Sequence, residues 1–122
     1  MSILPTGRAE GEARRDAALT LLRSRRAALV RDLTRAAVRI ALDRDTLTAD
    51  DVRAIVPIPE GIRPAVLGAA IRELAVAGIL RRIDYRRSSR PEAHARPLAV
   101  WQLADRGAAV AWLAAHPAYP AD

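Results

Sequence analysis

The chain has 122 residues and a mass of 13.2 kDa, one domain's worth. At that length a single core hides about two-thirds of the unfolded surface and folds without staples. There is no cysteine, so thiol nucleophiles, paired redox cysteines and cysteine-bound zinc are excluded. All twenty basic residues are arginines, and with fourteen acids they leave a net charge of +6. Such an excess suits a polyanionic partner or an acidic protein surface. The 27 alanines and the lack of phenylalanine favour close-packed helices over an aromatic core.

No apolar run approaches the ~20 residues of a membrane span. Met1 to Pro5 lacks the apolar region of a signal peptide, and Glu10, Glu12 and Asp16 argue against a transit peptide. The expectation is a soluble, cytoplasmic chain without a membrane partner.

Residues 1–11 contain Pro5, Gly7 and Gly11 without periodicity and predict a flexible tail. From Glu12 to about Leu42, Leu19, Leu22, Leu29, Leu33, Ala36 and Ile40 mark one face of an amphipathic helix. At about 30 residues it would run ~45 Å, long for a small domain. Asp43 to Asp45 ends it, and Thr46 to Thr48 is a β-prone link. Thr48 and Asp51 form a capping-box pattern for a short helix, Ala49 to Val56. The run Pro57 to Gly61 stops that helix. Pro64 opens a third, lined by Leu67, Ala70, Ile71, Leu74 and Ala75 and closed by Gly78.

The period then changes. Ile79 to Tyr85 reads as a strand with Ile79, Ile83 and Tyr85 on one side. Pro97 to Leu103 reads as its partner, with Ala99, Trp101 and Leu103 facing inward. Residues 86–96 form a polar loop between them. Asp105 caps a last helix, Arg106 to Ala115, and Pro117 ends it. The domain is therefore expected over 12–116, with 117–122 as a C-terminal tail.

This order resembles that of the winged helix-turn-helix family. Ile71-Arg72-Glu73-Leu74-Ala75-Val76-Ala77-Gly78-Ile79-Leu80 looks like a recognition helix passing through glycine into a first wing strand. Val100-Trp101-Gln102-Leu103-Ala104-Asp105-Arg106-Gly107 looks like the second wing strand and the helix start after it. The resemblance covers about residues 15–115. It implies a mainly α fold with a small antiparallel β wing, a long N-terminal helix and a C-terminal helix. Two features depart from the family pattern. The link Pro57 to Arg63 has seven residues, and the outer face of the third helix carries Ala65, Gly68, Ala69 and Val76, with Arg72 its one strong base-edge donor.

The basic wing carries the functional expectation. Residues 81–97 hold six arginines against Asp84 and Glu92. Arginine forks onto phosphates and enters narrow minor grooves, and serine hydroxyls donate to phosphate oxygens. Expected contacts to double-stranded DNA are Arg63, Arg72, Arg82, Arg86, Arg87, Ser88, Ser89, Arg90, His94 and Arg96. The bland alternative for the wing is a solvated loop. Arg31, Arg35 and Arg39 stripe one helix face; Asp32 can pair with Arg35 and Asp43 with Arg39, so a solvated, salt-bridged face is favoured there over phosphate contact. Glu92 and His94 lack a third metal ligand, and no catalytic motif or acid–base pair stands out, so neither enzyme nor cofactor is expected.

The reading is a non-enzymatic DNA-binding regulator of transcription or replication. The alternative is a winged-helix protein-interaction module using the small-residue face of the third helix. The length of the first helix and the thin surroundings of Trp112 predict a homodimer through Leu19, Leu22, Leu29 and Trp112.

Overall fold

A computed structural model describes residues 7–91 and 96–120. Its elements are α1 (Gly7–Arg44), β1 (Thr46–Leu47), α2 (Ala49–Ile55), α3 (Ala65–Val76), β2 (Leu80–Arg87), β3 (Pro97–Leu103) and α4 (Arg106–Ala115). The fold is mixed: four helices and a three-stranded antiparallel sheet in the order β1-β3-β2.

Helix α1 has 38 residues and runs about 57 Å. It begins at Gly7 and not at Glu12, so residues 7–11 are not a tail. Good helix formers surround both glycines, and Arg8 pairs with Glu12 one turn on at 3.4 Å. Only the C-terminal half is packed. Leu29, Leu33, Ala36, Ala37, Val38, Ile40 and Ala41 are buried, whereas residues 7–27 are exposed apart from half-buried Gly11. Asp45 ends the helix in a left-handed conformation (φ 70°), one that aspartate tolerates better than most residues. Its carbonyl accepts from Leu103 N–H at 2.8 Å, and its carboxylate accepts from Gln102 at 2.9 Å. The end of α1 is thereby tied to β3.

The Thr48–Asp51 cap forms as expected, with Thr48 N–H donating to the Asp51 carboxylate at 2.7 Å. Helix α3 buries Val66, Leu67, Ala70, Ile71 and Leu74 against α1. Its end is a Schellman motif: Ile79 N–H donates to Leu74 C=O and Gly78 N–H to Ala75 C=O, both at 3.0 Å. Gly78 sits at φ +80°, and Leu74 and Ile79 are both buried beside the turn.

One strand face differs from simple alternation. A bulge between Arg82 and Asp84 shifts the register, leaving Ile83 as the extra residue. Leu80 pairs with Leu103, Arg82 with Trp101, Tyr85 with Ala99 and Arg87 with Pro97. Cross-strand partners share a face, so Arg82, Tyr85 and Arg87 lie on the Trp101 side of the sheet. Ile83 and Tyr85 are exposed, and only Leu80, with Ile79 just before the strand, reaches the core. Trp101 and Leu103 are half-buried against that core.

Two glycines give opposite tests. Gly78→Ala should destabilise by about 1–2 kcal/mol, because a Cβ is disfavoured in the left-handed region. Gly68→Ala, at an exposed helical position where a Cβ meets nothing within 4 Å, should stabilise by about 0.5–1 kcal/mol. Urea titration of the two variants checks both signs.

Candidate nucleic-acid interface

The β2–β3 hairpin carries the densest positive charge, and the structure divides its arginines into two groups. Strand β2 continues to Arg87, two residues beyond the expected end, so Arg86 and Arg87 project from a strand and not from the loop. The hairpin is closed beyond them by Ser88 N–H donating to Arg96 C=O at 3.0 Å.

Ser88 and Arg90 belong to the first group, which faces the protein. The Ser88 hydroxyl donates to Asp50 Oδ2 at 2.8 Å, and Arg90 Nε donates to Asp50 Oδ1 at 2.8 Å. Arg90 N–H in turn donates to Ser88 Oγ at 3.2 Å. Asp50 lies in the first turn of α2, where the helix dipole favours a carboxylate. Ser88 is only 7% exposed, which removes it from any surface a phosphate could touch. The expected DNA contacts Ser88 and Arg90 are therefore corrected: one carboxylate occupies both, clasping the hairpin tip to α2. Arg86 is intermediate. Its 3.8 Å approach to Asp51 is long and the guanidinium half-exposed, an ion pair worth about 0–1 kcal/mol.

The second group faces solvent. Arg82, Arg87 and Arg96 are exposed, as are Arg63 before α3 and Arg72 on its outer face. Among the described residues none of these five guanidinium groups meets a carboxylate. Arg82 lies 5.0 Å from the centroid of the exposed Tyr85 ring, a cation–π contact that leaves its edge donors open. Ser89 is exposed beside Arg87. His94 lies outside the described residues, as does Glu92.

The outer face of α3 is as plain as its sequence. Ala65, Gly68, Ala69, Arg72, Glu73 and Val76 are exposed at helical spacing, and Val76 is 85% exposed.

Other arginines are structural, and the sequence did not point to their partners. Arg35 Nη1 donates to the carbonyls of Leu113 (3.0 Å) and His116 (2.6 Å), capping α4. Arg31 donates to Pro117 C=O at 2.7 Å and stacks 4.5 Å over the Tyr119 ring. Arg35 turns to the Leu113 and His116 carbonyls and not to the Asp32 expected for it. Helix ends leave carbonyls unpaired, and a guanidinium satisfies two at once. Residues 117–119 thus dock on α1, which places them with the domain. Trp112 is half-buried against the core and stacks on His116 at 4.3 Å, and Leu29 is buried. Of the expected dimer residues, Leu29 is thus buried within one chain beside the α2–α3 link and Trp112 is half-covered where α4 packs on α1, while Leu19 and Leu22 are exposed.

Among the described residues, no three His, Asp or Glu side chains gather where a metal could sit, and no helix is long and apolar enough to cross a membrane.

Asp50→Ala should release the hairpin tip without unfolding the domain. Charged hydrogen bonds of this kind contribute roughly 1.5–3 kcal/mol. The variant should lose stability in that range and show faster amide exchange at Ser88 and Arg90. Unchanged exchange there would contradict the clasp.

No protein-family model, curated protein or solved structure matches this chain.

Proposed function

We propose that this chain is a DNA-binding protein of the winged helix-turn-helix type, acting without catalysis as a regulator of transcription or replication. The carrying observation is the array of solvent-facing arginines on the β2–β3 hairpin, attached directly to the end of α3. The strand order β1-β3-β2, with β1 between the first two helices, supports the winged-helix reading. In it the hairpin is the wing and α3 the helix presented to the major groove.

Affinity comes chiefly from the backbone. Arg82, Arg87 and Arg96 hold phosphates or enter the minor groove, and Arg63 just before α3 and Arg72 on its outer face contact the duplex beside them. The small residues of α3 permit close approach, while Arg72 alone supplies a bidentate donor for a base edge. Sequence reading is accordingly modest. Asp50 and Asp51 put negative charge beside the wing and keep the bound surface away from the start of α2.

The exposed Val76 favours a second reading, in which the Ala/Gly/Val face of α3 packs on another protein. The same titration separates the two. Fluorescence anisotropy with a labelled duplex should show binding that weakens on the order of a hundredfold between 50 and 200 mM salt, for about four neutralised phosphates. The folded Arg82/Arg87/Arg96→Glu variant should lose it, while Arg90→Gln should change it little. A flat salt response, or full binding by the triple variant, would overturn the DNA reading and leave the protein partner.

A further inference from the structure

Where α1, α3 and α4 meet, a cavity of about 350 Å³ opens, and no residue of the β2–β3 hairpin lines it. Its volume falls within the range of small-molecule sites, roughly 300–1,000 Å³. Arg23, Arg26 and Arg31 reach it from α1 and Glu73 from α3. Trp112 and His116 reach it from α4 and its C-cap, and Tyr119 from the segment beyond.

One side of the cavity is aromatic and held in place. The Trp112 and His116 rings lie 4.3 Å apart with 11° between their planes. A carbonyl only accepts, so His116 Nδ1 carries the hydrogen that meets Trp112 C=O at 2.9 Å, and this fixes the imidazole on the indole. Arg31 donates to Pro117 C=O at 2.7 Å and to the Tyr119 hydroxyl at 3.3 Å, with the Tyr119 ring beneath it. These groups stand ready before a ligand arrives, which lowers the ordering cost of binding.

The other side is unbalanced in charge. The lining residues bring three guanidinium groups and one carboxylate, that of Glu73. Arg31 is committed to the wall. Arg23 and Arg26 lie three residues apart on one side of α1, and among the described residues neither meets a carboxylate. Neighbouring guanidinium groups repel, and a planar carboxylate can bridge two of them with forked, charge-assisted hydrogen bonds. Glu73 can only accept when ionised, so it selects an N–H or O–H on the same ligand.

We infer that this cavity is a binding site for a small planar aromatic carboxylate that also carries a hydrogen-bond donor. The ring lies against the aromatic wall, the carboxylate bridges Arg23 and Arg26, and the donor reaches Glu73. Glu73 follows Arg72 on α3, so the occupied site adjoins the face proposed for DNA. It takes none of the arginines assigned to the duplex, and the inference does not depend on DNA binding.

Isothermal titration calorimetry of the full chain with 6-hydroxy-2-naphthoate tests it. One molecule should bind per chain with a Kd below about 1 mM. Naphthol lacks the carboxylate and acetate lacks the ring, and each should bind roughly tenfold more weakly or worse. Arg23→Gln and Arg26→Gln should each raise the Kd roughly tenfold, through lost charge-assisted hydrogen bonds. Arg25→Gln removes the same charge from a residue that lines the neighbouring groove beside the α2–α3 link, and should change the Kd little. Ala27→Trp, at an exposed position in the cavity wall, should block binding, with circular dichroism checking that each variant folds. Absence of naphthoate binding, equal affinity for naphthol or acetate, or indifference to Arg23→Gln would each overturn the site. So would a loss as large in Arg25→Gln, or full binding by the folded Ala27→Trp variant.

Discussion

The C-terminal half of α1 is the spine to which everything else is fitted. Helices α2, α3 and α4 and strands β1 and β3 all touch it. Three alanines make this close approach feasible, with Ala37 and Ala41 fully buried and Ala36 nearly so. Leucines and isoleucines supply the apolar area, at about 25 cal/mol per Å² removed from water. A core without phenylalanine and with two tryptophans on its margin depends on this dense aliphatic packing. Where the stripe stops contacting the domain, near Leu29, the helix continues unsupported.

Arginine does two kinds of work around that spine. Arg35 and Arg106 donate to backbone carbonyls, Arg106 to Leu42 C=O at 3.0 Å, and so finish helix ends that would otherwise depend on water, while Arg31 holds the segment after α4 through Pro117 C=O. Arg90 holds the hairpin tip through Asp50. What remains on the hairpin is a narrower positive surface than the bare count of arginines suggests. Its field is set by Arg81, which donates to the neutral Gln102 side chain, with Arg82, Arg87 and Arg96, and is tempered by Asp84 on β2 and by the two aspartates opening α2.

Much of the architecture was legible in the sequence because local signals coincided with the tertiary outcome. Thr48 with Asp51, Pro64, Gly78 and Asp105 each mark an end that local hydrogen bonding and backbone conformation dictate, and those ends fall within a residue or two of expectation. The face of β2 was not legible. A bulge depends on pairing with a strand fifteen or more residues away, and strict alternation mis-sets Ile83 and Tyr85. The α1 start was hidden by two glycines whose cost the neighbouring residues offset. The candidate site was half legible. Charge density located the hairpin, but the clasp from Asp50 lies 38 residues from Ser88 and 40 from Arg90, beyond any sequence periodicity. The capping of α4 by Arg35 and the docking of Pro117 on Arg31 were missed for the same reason, since the recipients are carbonyls, and only the stop at Pro117 hinted at them.

The central claim is that the exposed arginines of the β2–β3 hairpin and the outer face of α3 meet a DNA duplex. Amide chemical-shift mapping of the ¹⁵N-labelled protein, titrated with a short duplex, tests it most directly. The account predicts perturbations concentrated at Arg82, Tyr85, Arg87, Ser89 and Arg96 and along Ala65 to Val76, with the exposed half of α1 unmoved. A spectrum that stays still at saturating duplex, or shifts confined to α1 and α4, would contradict it.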